Sequence, residues 1–378
     1  MGGATATFVD TLRGRRWRAF DLQLSLYLLL LIAFGVVIGY SANYEVSGAS
    51  GGLSQTVRTL IWTAIGLTLY FVAASVDYHW LQTFATPIYL VVLVLLTVTG
   101  LVGTTLFGAQ MSISVAGLEF QFSEISKVLM IVVLASFLST RGERIGRLST
   151  IVGAALLMAV PTLLVYRQPD LGTALVFVAI LFGMLFMSGA SIGWMALLTG
   201  AAIALAPIAV GALQAYQRQR LFCFLDASAD PQGACYQLVQ ALNAVGSGGW
   251  LGQGLTAGRQ NQLGYLPVQS TDFIFTVVGE ELGFVGGAVL LGLFALLVWR
   301  VLSIGWGAQD SLGMMVAVGL ASLLLFQITV NVGMVTGIMP VTGIPLPFMT
   351  YGGSSMISLL FGLGILQSVR MHAWKPTF

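Results

Sequence analysis

The sequence predicts an all-α, polytopic membrane protein with about ten transmembrane helices and one long outer-face loop. Three observations predict it. Of the 378 residues, 57% are hydrophobic and only 8% are charged, against roughly a quarter charged in ordinary soluble chains. Apolar runs near the 20 residues that a membrane helix needs recur along the whole chain. The few basic residues gather at alternate ends of those runs. This composition excludes an ordinary soluble enzyme, and without a basic domain or stripe nucleic acid is excluded as a partner.

The first run, 22–41, follows an N-terminal segment, 1–21, that carries Arg13, Arg15, Arg16 and Arg18. It has no small-residue cleavage site and reads as a start anchor rather than a removed signal peptide. The remaining runs lie at 57–75, 84–103, 124–139, 150–166, 171–189, 193–212, 275–299, 311–333 and 354–369. An even number of spans puts both termini on one side. The four arginines of the first segment, Arg141, Arg144, Arg147, Arg300, Arg370 and Lys375 all fall there, so the positive-inside rule makes that side cytoplasmic. Arg58, Arg167, Arg218, Arg220 and Arg259 fall at the opposite face, and Lys127 falls inside a span. Cations on the disfavoured side call for a reason.

The long connection, 213–274, is outer by the same count, and the chain reads as one domain, 1–378. Loops of this length usually carry function. This one mixes Gly246, Gly248, Gly249, Gly252 and Gly254 with Trp250, Leu251, Tyr265 and Leu266, unlike a plain linker. Its Cys223 and Cys235 are the only cysteines. In an oxidising compartment they could pair, closing a loop worth about 3 kcal/mol; unlinked thiols are the other reading. No CxxC spacing suggests zinc.

Four groups of residues interrupt the apolar pattern. Glu124 and Lys127, three apart, share a helix face and would form an intramembrane ion pair, either structural or lining a cavity. Gln327 and Asn331 share a face at spacing four, which interhelical hydrogen bonding explains. The QPDLGTA string at 168–174 reads as a capped re-entry into the membrane. At 271–275, TDFIF sets Asp272 where the outer loop meets an apolar helix. It is either a helix cap or a partly buried general base near Arg218, Arg220 and Arg259. The last group, 340–355, runs through Gly343 to Tyr351, Gly352, Gly353, Ser354 and Ser355. It is non-helical backbone followed by a helix start that could hold an anion or simply be capped by serine. From these residues alone, an enzyme on lipid-linked substrates, a transporter and a scaffold all remain open.

The string from Tyr216 and Gln217 through Arg220, Asp230, Pro231, Tyr236 and Gln240 to Gly246–Gly249 resembles the SEDS (shape, elongation, division and sporulation) family. So do QPDLGTA, TDFIF, VGEELGF, YGGSS and the stretch Gly108, Ala109, Gln121, Ser123, Glu124, Lys127. The resemblance covers nearly the whole chain in order. It implies a ten-helix glycosyltransferase of the bacterial cytoplasmic membrane that polymerises lipid II at the outer face, beside a class B penicillin-binding protein and, in the elongation branch, other membrane proteins of that complex. QPDLGTA leans towards that RodA-type branch over the division, FtsW-type one. The resemblance favours Asp272 as catalytic and places Glu124 and Lys127 in the central cavity. The chemistry then needs cations at a pyrophosphate, for which Arg218, Arg220 and Arg259 are available, and Mg or Mn could share that task. A lipid II flippase and an inactive scaffold are the alternatives. The chain departs from the family pattern at Gln110, Met111 and Ser112, at Phe122 and at Ser270.

Overall fold

The computed structural model describes residues 17–44, 48–106, 109–115, 118–211, 213–233, 235–263, 272–350 and 352–373. Each sequence span is a helix: α1 Leu22–Ala42, α2 Gly48–Ser75, α4 Ala85–Val102, α5 Phe122–Ser139, α6 Leu148–Arg167, α7 Leu171–Met187, α8 Ile192–Gly211, α12 Ile274–Trp306, α13 Ser311–Val335 and α14 Gly353–His372. Seven of these are long and apolar enough to cross a membrane, and α4, α7 and α8 supply shorter apolar stretches. A short helix, α3 His79–Thr83, joins α2 to α4. The chain is a multi-pass membrane protein.

Two features go beyond the sequence reading. Three short strands, β1 Thr104–Leu106, β2 Ala109–Val115 and β3 Leu118–Phe120, form a small antiparallel sheet in the order β1-β2-β3. Here Gln110, Ser112 and Ser114 alternate with Met111, Ile113 and Val115, the period of a strand rather than a helix. The long connection, moreover, carries helices among its described residues, α9 Ala215–Leu225, α10 Tyr236–Ser247 and α11 Arg259–Gln262. Cys223 and Cys235 are disulfide-bonded, tying the end of α9 to the residue that precedes α10.

The centre of the bundle is α14, 89% buried over its apolar window, flanked by α5 and α13 at 72% and 67%. Burial this complete in a lipid-soluble bundle rests on close backbone approach, because lipid tails compete for apolar contact. At Gly364 a Cβ would stand 2.5 Å from the Tyr70 carbonyl oxygen, so only glycine lets α14 lie this near α2.

Helix α12 is broken at Gly283, whose φ of 64° suits glycine. The break frees backbone groups that lipid cannot satisfy, and the glycine-rich stretch of the long connection meets them. Gln253 and Gly254 donate to the carbonyls of Glu280 and Glu281 at 3.0 and 2.9 Å, while Phe284 and Val285 donate to Gly249 and Trp250 at 2.9 and 3.1 Å. The two buried carboxylates alongside complete the joint. Glu280 accepts from the amides of Gln260 and Asn261, and Glu281 from Ser41 Oγ and Asn261 Nδ2. The break therefore fixes the loop to the membrane helix immediately beyond Asp272.

At the far end of the bundle, His79 and His372 lie among Asp77 and Asp310, with Tyr78 donating to Asp310 at 2.8 Å. These contacts fasten the ends of α2, α13 and α14 together.

Candidate active site

Asp272 stands one residue before the N-cap of α12, partly buried. Its main chain is held from α13. Asn331, fully buried, donates one amide hydrogen to the Asp272 carbonyl at 2.9 Å and the other to the Ile344 carbonyl at 2.7 Å. One side chain thus joins the start of α12 to the non-helical segment between α13 and α14. That segment brings Gly343 against the carboxylate. With φ at 74°, Gly343 takes a turn that other residues resist. A Cβ there would stand 3.3 Å from Asp272 Oδ2 and 3.6 Å from Arg220 Nη1.

Arg220 reaches this point because α9 is anchored to the turn before α7. Tyr216 Oη and Gln217 Nε2 both donate to the Pro169 carbonyl, at 2.9 and 3.1 Å, and the Arg220 guanidinium lies 5.7 Å from the Tyr216 ring centroid. The same turn presents Asp170, which caps α7 by accepting from the Thr173 amide at 2.9 Å. The sequence reading of a capped re-entry thus describes Asp170, but the cap also faces the site.

The electrostatics follow from this packing. Burial pushes the Asp272 carboxyl up to about 6; the nearby Arg220 charge lowers it and the Asp170 charge raises it. Burial likewise raises Asp170, with Lys127 drawing it down and Glu124 pushing it up. Glu124, Lys127, Asp170, Asp272 and Arg220 therefore form one electrostatic series from the bundle interior to the loop.

Within that series Lys127 Nζ donates to Glu124 Oε1 at 2.6 Å, both side chains almost fully buried. Glu124 Oε2 is buried without a hydrogen-bond partner among the described residues. Ser354 Oγ accepts from the Gln121 amide at 2.9 Å, and Gln121 Nε2 reaches towards Asp170 Oδ2 at 3.5 Å. Ser354 and Ser355 are both buried in the first turn of α14. The helix N-cap is Gly352, with no side-chain cap.

The other predicted cations lie apart from this arrangement. Arg218 turns back to the end of α8, donating to the carbonyls of Leu213 and Gly211 at 3.1 and 2.7 Å. Arg259 opens α11 and is exposed. Tyr351, Thr271 and Ser270 lie outside the described residues, as do the side chains of Gln110, Met111 and Ser112; Phe122 packs edge-on against Phe120. Among the described residues no group of three or more His, Cys, Asp or Glu side chains is gathered to hold a metal ion. A hard divalent cation fits only in the manner of magnesium, on one or two carboxylates and the oxygens of a bound phosphate. Asp170, whose charge acts on Asp272, is the carboxylate available for it.

Sequence reasoning named Asp272, Glu124, Lys127 and Arg220 but passed over Asp170, Asn331 and Gly343 as site residues. A cap, an interhelical amide and a loop glycine each have a sufficient local explanation, and only the packing reveals that they meet.

The sequence profile of the cell cycle protein family FtsW/RodA/SpoVE matches residues 22–375. The peptidoglycan glycosyltransferase MrdB of Escherichia coli K12 is 38% identical over 357 residues, 93% of this chain and 94% of that protein. Stage V sporulation protein E of Bacillus subtilis is 37% identical over 362 residues, 93% of this chain and 97% of its own. The rod shape determining protein RodA of Thermus thermophilus superposes with a TM-score of 0.72 at 30% identity, covering 95% of this chain and 99% of that one. A chain from a structure described as "Structural coordination of polymerization and crosslinking by a peptidoglycan synthase complex" superposes with a TM-score of 0.79 at 31% identity, covering 94% and 99%. On sequence and fold together, the chain belongs to the FtsW/RodA/SpoVE, or SEDS, family.

Proposed function

We infer that the chain is a peptidoglycan glycosyltransferase that polymerises lipid II at the outer face of the bacterial cytoplasmic membrane, with both termini inside and Asp272 as its general base. The observation that carries this reading is the meeting of a partly buried carboxylate and a guanidinium beside Gly343, at the rim of a bundle of this family. The family relatives named as peptidoglycan glycosyltransferases support the activity. The ten basic residues on one side and the disulfide near the other support the orientation.

The acceptor's sugar 4-hydroxyl attacks the donor's anomeric carbon. A new C–O bond forms, and the bond from that carbon to the pyrophosphate oxygen breaks. Asp272 takes the hydroxyl proton, and polyprenyl pyrophosphate leaves with the bonding electron pair. A carboxyl held near 6 is ionised at neutral pH yet basic enough to accept that proton. Arg220 stabilises the charge growing on the leaving group, where a guanidinium can engage phosphate oxygens in pairs. Mg or Mn bound through Asp170 and the pyrophosphate would add to that neutralisation. A single displacement inverts the anomeric carbon. Glu124 and Lys127, paired deeper in the bundle, act on the site through charge, Lys127 drawing the Asp170 carboxyl down and Glu124 pushing it up.

The QPDLGTA string and the likeness to RodA support a role in cell elongation and shape. The likeness to a chain of a synthase complex supports a class B penicillin-binding protein as the partner that crosslinks the product. The test is polymerisation of lipid II by the purified protein with and without that partner. Asp272→Ala and Asp272→Asn abolish polymer while the helical bundle is retained. Full polymerisation by Asp272→Asn overturns the base assignment. Lipid II translocation in liposomes without polymer, unchanged by Asp272→Ala, supports a flippase instead, and partner binding without turnover supports a scaffold.

A further inference from the structure

The end of the bundle away from Asp272 carries two adjoining cavities of opposite character. One, of about 290 Å³, is lined by three guanidiniums, Arg18, Arg300 and Arg370, and by Asp21. The other, of about 350 Å³, is lined mainly by Trp17, Phe20, Leu22 and Phe71. They share Arg18, Phe20 and Leu22. The rings of Trp17, Phe20 and Phe71 are stacked in sequence, at centroid distances of 5.8 and 6.2 Å. Leu22, Arg300 and Arg370 belong to the terminal parts of α1, α12 and α14, so both cavities lie at one membrane boundary.

The charges in the polar cavity do not cancel. Asp21, its side chain 1% exposed, is already saturated: it accepts from the Leu24 amide at 2.8 Å and takes a forked pair of bonds from Arg300. Arg370 stands off from it at 3.7 Å with its side chain 40% exposed. Arg18 is exposed and has no ion-pair partner among the described residues. Three cations against one anion leave a net charge of +2, and Asp21, already bound by Arg300, is shared with Arg370 at long range beside the apolar groove.

We propose that these paired cavities bind one anionic phospholipid, its phosphodiester between Arg18 and Arg370 and the upper part of an acyl chain on the Trp17–Phe20–Phe71 groove. The polar cavity has room for roughly ten water-sized groups, enough for a glycerophosphate. Basic pockets between helices at a membrane surface recognise acidic headgroups in this way, and guanidiniums that grip a phosphodiester favour a headgroup of net negative charge over a zwitterionic one, whose own ammonium they repel. Arg300 keeps the floor of the site in shape through Asp21. This inference is independent of the polymerase reading, since no group of the Asp272 site takes part.

The test is native mass spectrometry of the full-length protein in detergent, titrated with phosphatidylglycerol or with phosphatidylcholine of the same acyl chains. One phosphatidylglycerol is retained at least tenfold more tightly than phosphatidylcholine. The Arg18→Gln/Arg370→Gln variant lowers that affinity by about thirtyfold, roughly fivefold for each guanidinium. Glycerol phosphate and inorganic phosphate fail to displace the lipid at millimolar concentration. Thermal unfolding of the variant without added lipid reports whether it folds; if it does not, Arg18→Gln alone, at an exposed residue, lowers the affinity about fivefold. Equal retention of the two lipids, or no loss in a folded variant, overturns the proposal. Displacement by free phosphate assigns the site to a soluble anion and overturns the lipid.

Discussion

Replacing Asn331 with leucine tests whether the site depends on the amide that joins its two halves. The side chain is fully buried and donates to Asp272 and Ile344 at 2.9 and 2.7 Å. Leucine matches it in size and removes both donors. Two buried carbonyls then lose their partners at about 1–3 kcal/mol each, or roughly 2–6 kcal/mol if nothing moves. Relief comes by separating the start of α12 from the 340–350 segment, which carries Gly343 away from the carboxylate. A displacement near 1 Å in a reacting group costs about a hundredfold in rate. The assay is the initial rate of lipid II polymerisation across substrate concentration and pH, with thermal unfolding measured on the same samples. kcat falls about a hundredfold, KM stays within about threefold, and the acidic limb of the pH profile moves upward as Asp272 loses the attraction of Arg220. Turnover within threefold of the parent, with the acidic limb unmoved in a folded variant, refutes a positioning role for Asn331.

The remaining predictions concern charge and covalent closure. Burial pushes the Asp272 carboxyl up to about 6, so with the proposed base acting in its ionised form kcat/KM rises about tenfold per pH unit below 6 and levels above; Arg220→Gln moves the midpoint upward. The folded-state value lies above the ordinary 3.8, so the stability that the protonated carboxyl permits is intact below that value and lost as pH rises through 6. Asp272→Asn is therefore more stable than the parent at pH 8 by about 1–3 kcal/mol and no more stable near pH 3.5, measured by thermal unfolding. Glu124→Ala leaves the ammonium of Lys127 buried and unpaired and costs about 3–5 kcal/mol, whereas Glu124→Met with Lys127→Leu recovers the stability but not polymerisation. Cys235→Ser opens a loop of sequence separation 12, loses about 3 kcal/mol locally, and exposes 226–234 to proteolysis while the membrane helices stay protected.

The helices were legible because lipid enforces one rule on every span, and hydropathy reports it directly. The sheet at 104–120 was legible in principle: Gln110, Ser112 and Ser114 fall at every second residue, a period masked by the apolar runs on either side. The arginines divided for a simple reason. Positions 218 and 220 are two apart on α9, so they face different ways. Arg218 serves the carbonyls at the end of α8, while Arg220 reaches Gly343 on the side where Asp272 stands. That residues 220 and 272 approach the same point beside Gly343 was not legible, because it depends on Tyr216 and Gln217 gripping the Pro169 carbonyl, a contact across 47 residues. Likewise, a carboxylate such as Asp170 that caps a helix gives no sign in sequence of what stands on its other side.

The joint at Gly283 makes the glycine-rich loop a part of α12 in all but chain order. Gln253 and Gly254 complete the first half of that helix, and Gly249 and Trp250 receive the second. Length is therefore tolerated unevenly along the outer segment. An added residue between 226 and 233 lengthens a turn that the disulfide already encloses. An added residue between 249 and 254 puts every following amide out of step with its carbonyl and unseats the helix that begins just after Asp272. For anyone inserting a tag, a label or a crosslinker, the stretch that reads as the most permissive glycine linker is the one that least admits an insertion.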